Sequence, residues 1–356
     1  MPELRIDVLP VIGEATGVAE GVAGLPAGLL RRWSLHGGIQ VATLVTARHG
    51  DRLAAAAFEV HRPLTAYRKI VDVWAPDPAA GDLVIEAIEE RAWREGAVAV
   101  KRQFGARDHE WSRSLERGYT EVPVPRWAGP VVGPQQGDPG LGQVRWRVRP
   151  PRGPVPYMRQ TTDFTCGPAA LLMGLSALGL RAEPTREDEM RLWRTATTVG
   201  GCEPFGLALT AADEGARPEV LLSTERTTLL ELCRNDEERD LREFLQRGFR
   251  TEAAARGLGV RIEAFELGTL RAVLAEGAIA LVLIEQLGMH AESSPHWITV
   301  HSVDGDVFYA NDPWTDADLG ETFLDAVDLP LPAATLDRLA WYGTPSYRGM
   351  VVLRRP

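Results

Sequence analysis

Residues 160–178 read QTTDFTCGPAALLMGLSAL, a polar approach that turns apolar or small, and uncharged, from Ala169 to Leu178. Gly167-Pro168 directly follow Cys166. Proline is tolerated in the first helical turn, where its missing N–H would have no intrahelical partner anyway. The pattern therefore predicts a buried helix that begins at Cys166. A helix N-terminus presents unpaired N–H groups and the positive end of the backbone dipole, which favour a thiolate placed there. Gln160, six residues upstream, is near enough to offer a side-chain N–H to an oxyanion beside the sulfur. A lone buried cysteine is ordinarily packing. Here the glutamine, the turn and the apolar helix together make Cys166 a candidate nucleophile.

An activated thiol needs a base within hydrogen-bonding reach, and histidine serves best near neutral pH. Three of the seven histidines, His290, His296 and His301, lie near residues 295–313, which read PHWITVHSVDGDVFYANDP. This is a hairpin pattern with Asp304-Gly305 as the turn signal. Such a turn pairs residues whose numbers sum to about 609, and those of His296 and Asp312 sum to 608. The carboxylate is expected nearly opposite the imidazole, able to orient it. An aspartate before proline can also simply open a turn. His301, five positions on, falls on the other face of the strand and is read as structural; His290, in a loop, is a minor rival for the base. Residues 200–215, GGCEPFGLALTAADEG, predict a Gly-rich turn running into an amphipathic helix. Gly201, Cys202 and Trp297 are candidate substrate-binding residues. Cys202 is also the lesser candidate nucleophile, having no glutamine at matching spacing, and Cys233 is read as packing. With no CxxC and no close Cys-His pair, no metal site is expected.

Taken in order, the Gln160/Cys166-Gly167-Pro168 segment, the 200–215 run and the 295–313 hairpin resemble the papain-like cysteine peptidases, most closely the C39-like branch. The resemblance covers about residues 150–356. It implies an α+β papain-like fold, a Cys166–His296–Asp312 triad, Gln160 in the oxyanion hole and no cofactor. Chemistry would run through an acyl-enzyme on an amide or thioester carbonyl of a peptide or small amide substrate. Water as acceptor makes a peptidase or amidohydrolase; an amine makes an amide-forming acyltransferase. A non-catalytic binding protein is the alternative of another class.

A chain of 356 residues, 45% hydrophobic and 25% charged, has the size of two domains and an ordinary globular composition. No apolar run of eighteen residues exists, so no membrane span is expected, and the start MPELRIDVLPVIGEATG lacks the pattern of a secretory signal. Three cysteines do not suggest a disulfide framework, and a reducing cytoplasm is the expected compartment. Residues 1–135 hold 16 of the 39 basic and 17 of the 49 acidic residues, leaving 23 and 32 beyond. The second half thus holds about nine of the ten net negative charges. That argues against nucleic acid as partner, since phosphate binding needs a basic footprint.

Residues 1–135 predict three strands (IQVATLVTARHG, DRLAAAAFEVHRP and YRKIVDVWAPDP), then a helix from about Asp82 with Leu83, Ile85, Ile88 and Trp93 inward. A strand, a helix and a last strand follow. This order resembles the second half of a GNAT acetyltransferase, which implies an N-terminal GNAT-like α/β domain. Coenzyme A binding in that family needs a loop of N–H donors before the helix. WAPDPAAGDLVIEA offers instead two prolines, which remove donors, and acidic residues, which repel a pyrophosphate. The domain is therefore expected not to bind acetyl-CoA in the usual way, and to serve docking or substrate recognition. Residues 136–150 are read as a Gly/Pro-rich linker, in which VRWRVR has strand character, and 151–356 as the second domain.

Overall fold

The computed structural model describes residues 4–11, 24–125, 140–197 and 200–356. They divide into two compact units, the first formed by residues 4–124, 140–149 and 315–325, the second by 150–314 and 326–356.

The first unit contains β1 (Arg5–Val11), α1 (Ala27–Trp33), β2 (Val41–His49), β3 (Arg52–His61), β4 (Tyr67–Trp74), α2 (Pro78–Arg94), β5 (Ala99–Phe104), α3 (His109–Glu116), β6 (Thr120–Val122) and β7 (Leu141–Trp146). Its sheet runs β1-β2-β3-β4-β5-β7-β6, and only β4 and β5 are parallel. A parallel pair needs a crossover of helical length, which α2 supplies. Val84, Ile85 and Ile88 of α2 pack on Val45, Ala57 and Ile70, while Leu29 and Trp33 of α1 cover Leu44, Phe58 and Val60 on the other face. The helix begins at Pro78 rather than near Asp82, because Asp77 caps it by accepting from the Ala79 N–H (3.1 Å). Of the four inward positions expected, Ile85 and Ile88 are in the core and Trp93 lies at its edge. Leu83 is exposed, and Val84 takes its place. The stretch read as a linker contains β7, hydrogen-bonded between β5 and β6: sheet pairing on both sides outweighs its Gly and Pro content. Residues 126–139, which hold much of that Gly/Pro-rich stretch and the end of the expected last strand, lie outside the described residues.

Residues 315–325 come from far along the chain. Arg62, fully buried, donates from Nε and Nη2 to Glu321 (2.8 and 2.7 Å). Tyr67 Oη donates to Asp325 (2.8 Å), Lys69 pairs with the same carboxylate, and Lys101 Nζ donates to the Leu324 carbonyl (2.7 Å). Leu324 lies over Gly142, where any Cβ would collide with it.

The second unit is built on a sheet of order β13-β12-β11-β10-β14-β8-β9. Its strands are β8 (Arg217–Leu222), β9 (Gly259–Arg261), β10 (Ile279–Glu285), β11 (Pro295–Asp304), β12 (Val307–Asn311), β13 (Leu329–Pro332) and β14 (Gly349–Arg354). The helices are α4 (Cys166–Ala177), α5 (Arg186–Ala196), α6 (Pro204–Asp213), α7 (Asp236–Ala255), α8 (Leu267–Ala275) and α9 (Ala333–Leu339). The buried α4 rests on the sheet so closely that a Cβ at Gly174 would meet Ile279, Leu281 and Leu353. In α5, Leu192 is buried, Met190 and Trp193 are half-buried, and the charged Glu189 points inward. No described helix is long and apolar enough to cross a membrane.

The β11–β12 hairpin departs from the expected register. Its strands end at Asp304 and Val307, so the two-residue turn is Gly305-Asp306, with Gly305 at φ +51°. The paired numbers sum to 611 near the turn and, past a bulge between Val300 and Ser302, to 610, as in Thr299↔Asn311. A positive φ at the first central turn position favours glycine, which moves the turn by one residue. Asp312 lies just beyond the last pair.

Candidate active site

Cys166 is the first residue of α4, buried, with Thr165 at the N-cap. The following glycine is required by packing. A Cβ at Gly167 would lie 2.9 Å from Cys202 Cβ and 3.2 Å from its Sγ, too close for any real side chain. Cys202 is itself enclosed: its sulfur meets Thr197 Oγ1 at 2.6 Å, its carbonyl accepts from Trp297 Nε1 at 2.8 Å, and burial pushes its thiol above the usual range. Cys202 and Trp297 are 1% and 2% exposed. Together they brace the start of α4 from within. Gly201, at φ +43°, faces Leu232 and shapes the same turn. The thiol left at the helix mouth is Cys166.

His296, near the start of β11, and Asp312, just past β12, meet although the register is not the expected one: His296 Nε2 lies 2.7 Å from Asp312 Oδ1. The Cys166 thiol is hydrogen-bonded to the same imidazole. With Nε2 on the carboxylate, Nδ1 is the nitrogen left for sulfur. Burial works to deprotonate this imidazole, but the Asp312 charge and hydrogen bond, aided by Cys166, bring its pKa up to about 10. Asp312 is fully buried, which opposes its ionisation; the charges and hydrogen bonds of His296 and His290 hold it well below the usual carboxylate range. His290 Nε2 sits 3.0 Å from Asp312 Oδ2, and the Trp314 N–H donates to Oδ1 (2.9 Å). The carboxylate is thereby fixed from both sides. His301, expected to be structural, lies away from this set, 3.2 Å from Asp328.

Gln160 is 1% exposed and is locked by two bonds: its N–H donates to the Pro313 carbonyl (2.9 Å) and its Nε2 to the Thr162 carbonyl (2.7 Å). The first bond ties it to the residue after Asp312. Two carboxylates that sequence reasoning passed over complete the frame. Glu189 accepts from the Thr161 N–H (2.8 Å) and Oγ1 (2.7 Å), holding the strand of chain beside Gln160. Glu203 caps α6, and burial raises its pKa to about 7. The Glu203-Pro204 dipeptide was a legible helix start. An inward glutamate within a charged helix such as α5 carries no such signal.

Among the described residues, His290, His296 and Asp312 form a trio whose ligand atoms lie within 4.8 Å of one another. Such a set suits a divalent transition metal, a possibility that a search confined to cysteine motifs misses. The two imidazole–carboxylate hydrogen bonds already account for its closeness. In the first unit, the start of α2 is poorly suited to a coenzyme A pyrophosphate: the Asp77 carboxylate takes the Ala79 N–H, and Pro78 has no N–H to offer.

The first unit is the α/β domain expected for it, a sheet in which only β4 and β5 are parallel, flanked by helices. Solved structures similar to the chain include an acetyltransferase of Bacillus subtilis in complex with CoA, at 16% identity over 40% of this chain and 99% of that one, with a TM-score of 0.28. The ribosomal-protein-S18-alanine N-acetyltransferase of Escherichia coli is similar at 10% identity, over 39% of this chain and 91% of that one, with a TM-score of 0.28. A tandem GNAT protein from the clavulanic acid biosynthesis pathway is similar at 12% identity (TM-score 0.26), over 34% of this chain, which spans less than half, 46%, of that one. No curated protein matches the chain. The Peptidase_C39 like family model matches residues 155–354, more than half of the chain, and the chain belongs to that family.

Proposed function

We propose that the second unit is a cysteine-dependent hydrolase of an amide or peptide bond, with Cys166 as nucleophile, His296 as acid–base and Asp312 as its orienting anion. The observation that carries this reading is the 2.7 Å contact of His296 Nε2 with Asp312 on the side of the ring away from a thiol at a helix N-terminus. Burial opposes it, but the Asp312 charge holds the imidazole protonated, with a pKa of about 10, and the mechanism runs from an imidazolium–thiolate pair. The thiolate attacks the carbonyl carbon. The oxyanion that forms is met by the Cys166 backbone N–H and by the amide hydrogen of Gln160 not given to Thr162. His296 passes its proton to the leaving nitrogen, the C–N bond breaks, and an acyl-thioester remains. Water, deprotonated by the now neutral imidazole, attacks the thioester, and release of the acid restores the ion pair.

The test is mass spectrometry with peptide mapping after a stoichiometric dose of iodoacetamide to the full chain. Cys166 should be modified selectively well below about pH 8.5, the usual thiol pKa, and His296→Ala should abolish that selectivity. Equal, slow labelling of all three cysteines would overturn the assignment; labelling of Cys202 first would move the chemistry to the glycine turn.

A further inference from the structure

The hydrolase reading leaves open what the site accepts, and the segment that leads into α4 narrows it. Between Gln160 and Cys166 the chain makes a tight turn whose hub is the Thr162 carbonyl, which accepts from Gln160 Nε2 (2.7 Å) and Thr165 Oγ1 (3.3 Å). The hydroxyls of Thr162 and Thr165 also meet at 3.0 Å. Thr161 and Thr165 are buried, so the turn presents Asp163 and Phe164 outward. The helix α5 grips the same segment twice. Glu189 and Trp193, four positions apart, share one face of that helix. Glu189 takes the Thr161 N–H and hydroxyl, and Trp193 carries the Phe164 ring, with centroids 5.1 Å apart and planes at 49°.

The result is a phenyl ring that is 44% exposed yet fixed in place, two residues before the nucleophile. A scattered exposed apolar side chain is ordinary on a protein surface. One held by a turn and a helix beside an activated thiol is a platform. An aromatic face binds either an apolar group or a cation, and the charges around it decide between them. No lysine or arginine lies within three positions of Cys166, His290, His296 or Asp312. Other than Asp312, the charged residues within that span are Asp163 and Glu292. Both are exposed, and neither carboxylate has an ion pair or hydrogen bond among the described residues. Arg159, beside Gln160, is turned inward: it is 3% exposed, with its guanidinium over the Trp314 ring (5.7 Å).

We propose that the substrate carries a basic side chain beside its scissile carbonyl, with the cation resting on the Phe164 ring and paired with the Asp163 carboxylate. Glu292, two residues past His290, adds negative charge on the imidazole side. The proposal deepens the hydrolase reading and rests on it. An ammonium or guanidinium group is held by the negative face of the ring, and the carboxylate supplies its counter-charge.

The experiment labels the full chain with three reagents that share one reacting carbon: N-propyl-iodoacetamide, its isostere N-(2-aminoethyl)-iodoacetamide, and N-benzyl-iodoacetamide. Rates at Cys166 are read by peptide-mapping mass spectrometry at about pH 6.5, where an alkyl amine is protonated. Each is divided by the rate at the half-buried Cys233, so that attraction by the whole chain's negative charge cancels. The aminoethyl reagent should be preferred over the propyl at least about threefold, the factor that an exposed cation–π contact and an exposed ion pair together supply. The preference should shrink at high salt and fall toward one in Phe164→Leu/Asp163→Asn. Asp163→Asn alone, at an exposed position, should reduce it and keeps the test valid if replacing the ring disturbs the turn. No preference, preference for the benzyl reagent, or an aminoethyl preference unchanged in these variants would each overturn the proposal. The two readings fail separately. Selective labelling of Cys166 by the propyl reagent with no charge preference overturns this one alone, whereas labelling of Cys166 no faster than Cys233 by any reagent removes the nucleophile itself.

Discussion

Replacing Asp312 with asparagine keeps the shape of the site and removes one charge. In the parent, His296 titrates at about 10, so at pH 7 imidazolium outweighs imidazole by about a thousandfold. Burial is the largest influence on this group and it acts downward; the Asp312 charge is the chief influence acting upward. Without that charge the imidazole is expected below its ordinary value of about 6.5, which leaves at most about a quarter of it protonated at pH 7. The thiolate then lacks its counter-ion. The rate of Cys166 carboxamidomethylation, read by mass spectrometry from pH 5 to 9 with Cys233 as internal standard, should fall at least about fourfold at pH 7 and climb with pH. The same linkage has a stability counterpart. A histidine whose folded pKa is raised contributes stability in full below about 6.5 and loses it as pH rises through about 10. The parent's Tm should therefore drop more between pH 7 and 10 than that of His296→Gln. A pH–rate profile for Asp312→Asn that overlays the parent's would refute the reasoning.

In the first unit, Asp325→Asn leaves Lys69 buried without its anion, a loss of about 3–5 kcal/mol. The double change Lys69→Met with Asp325→Leu should recover most of it in urea denaturation; equal midpoints for the single and double variants would show that the pair does not matter. His36 and His61 are held neutral, at about 4 and about 3, chiefly by burial. Because these folded values lie below about 6.5, stability is complete above that pH and is lost as pH falls toward them. The acid side of the Tm profile should flatten in a His36→Gln/His61→Gln variant, and an unchanged acid slope would count against their burial as the cause.

What the sequence revealed depended on whether the signal was local. The start of α4 was legible because Cys166-Gly167-Pro168 combines a proline suited to a first turn with an uncharged apolar run, and both act within a few residues. The encounter of His296 with Asp312 followed from a hairpin, the shortest of long-range contacts. Even there the turn fell one residue later than expected, and the bulge after Val300 shifted the register again. The contact of Trp297 with Cys202 was not legible, because proximity in sequence to His296 says nothing of a partner 95 residues away. The contact of His290 with Asp312 was hidden for the same reason: its partner lies 22 positions on and past a hairpin.

The return of residues 315–325 to the first unit has a consequence for engineering. The chain leaves the second unit after Trp314 and re-enters it at Ala326, so no single cut separates the two. A fragment ending near residue 150 would carry Arg62, Lys69 and Lys101 stripped of Glu321, Asp325 and the Leu324 carbonyl. A fragment beginning there would drag an orphaned acidic loop three residues past Asp312. Either half can be transplanted intact only if the loop is rewritten along with it.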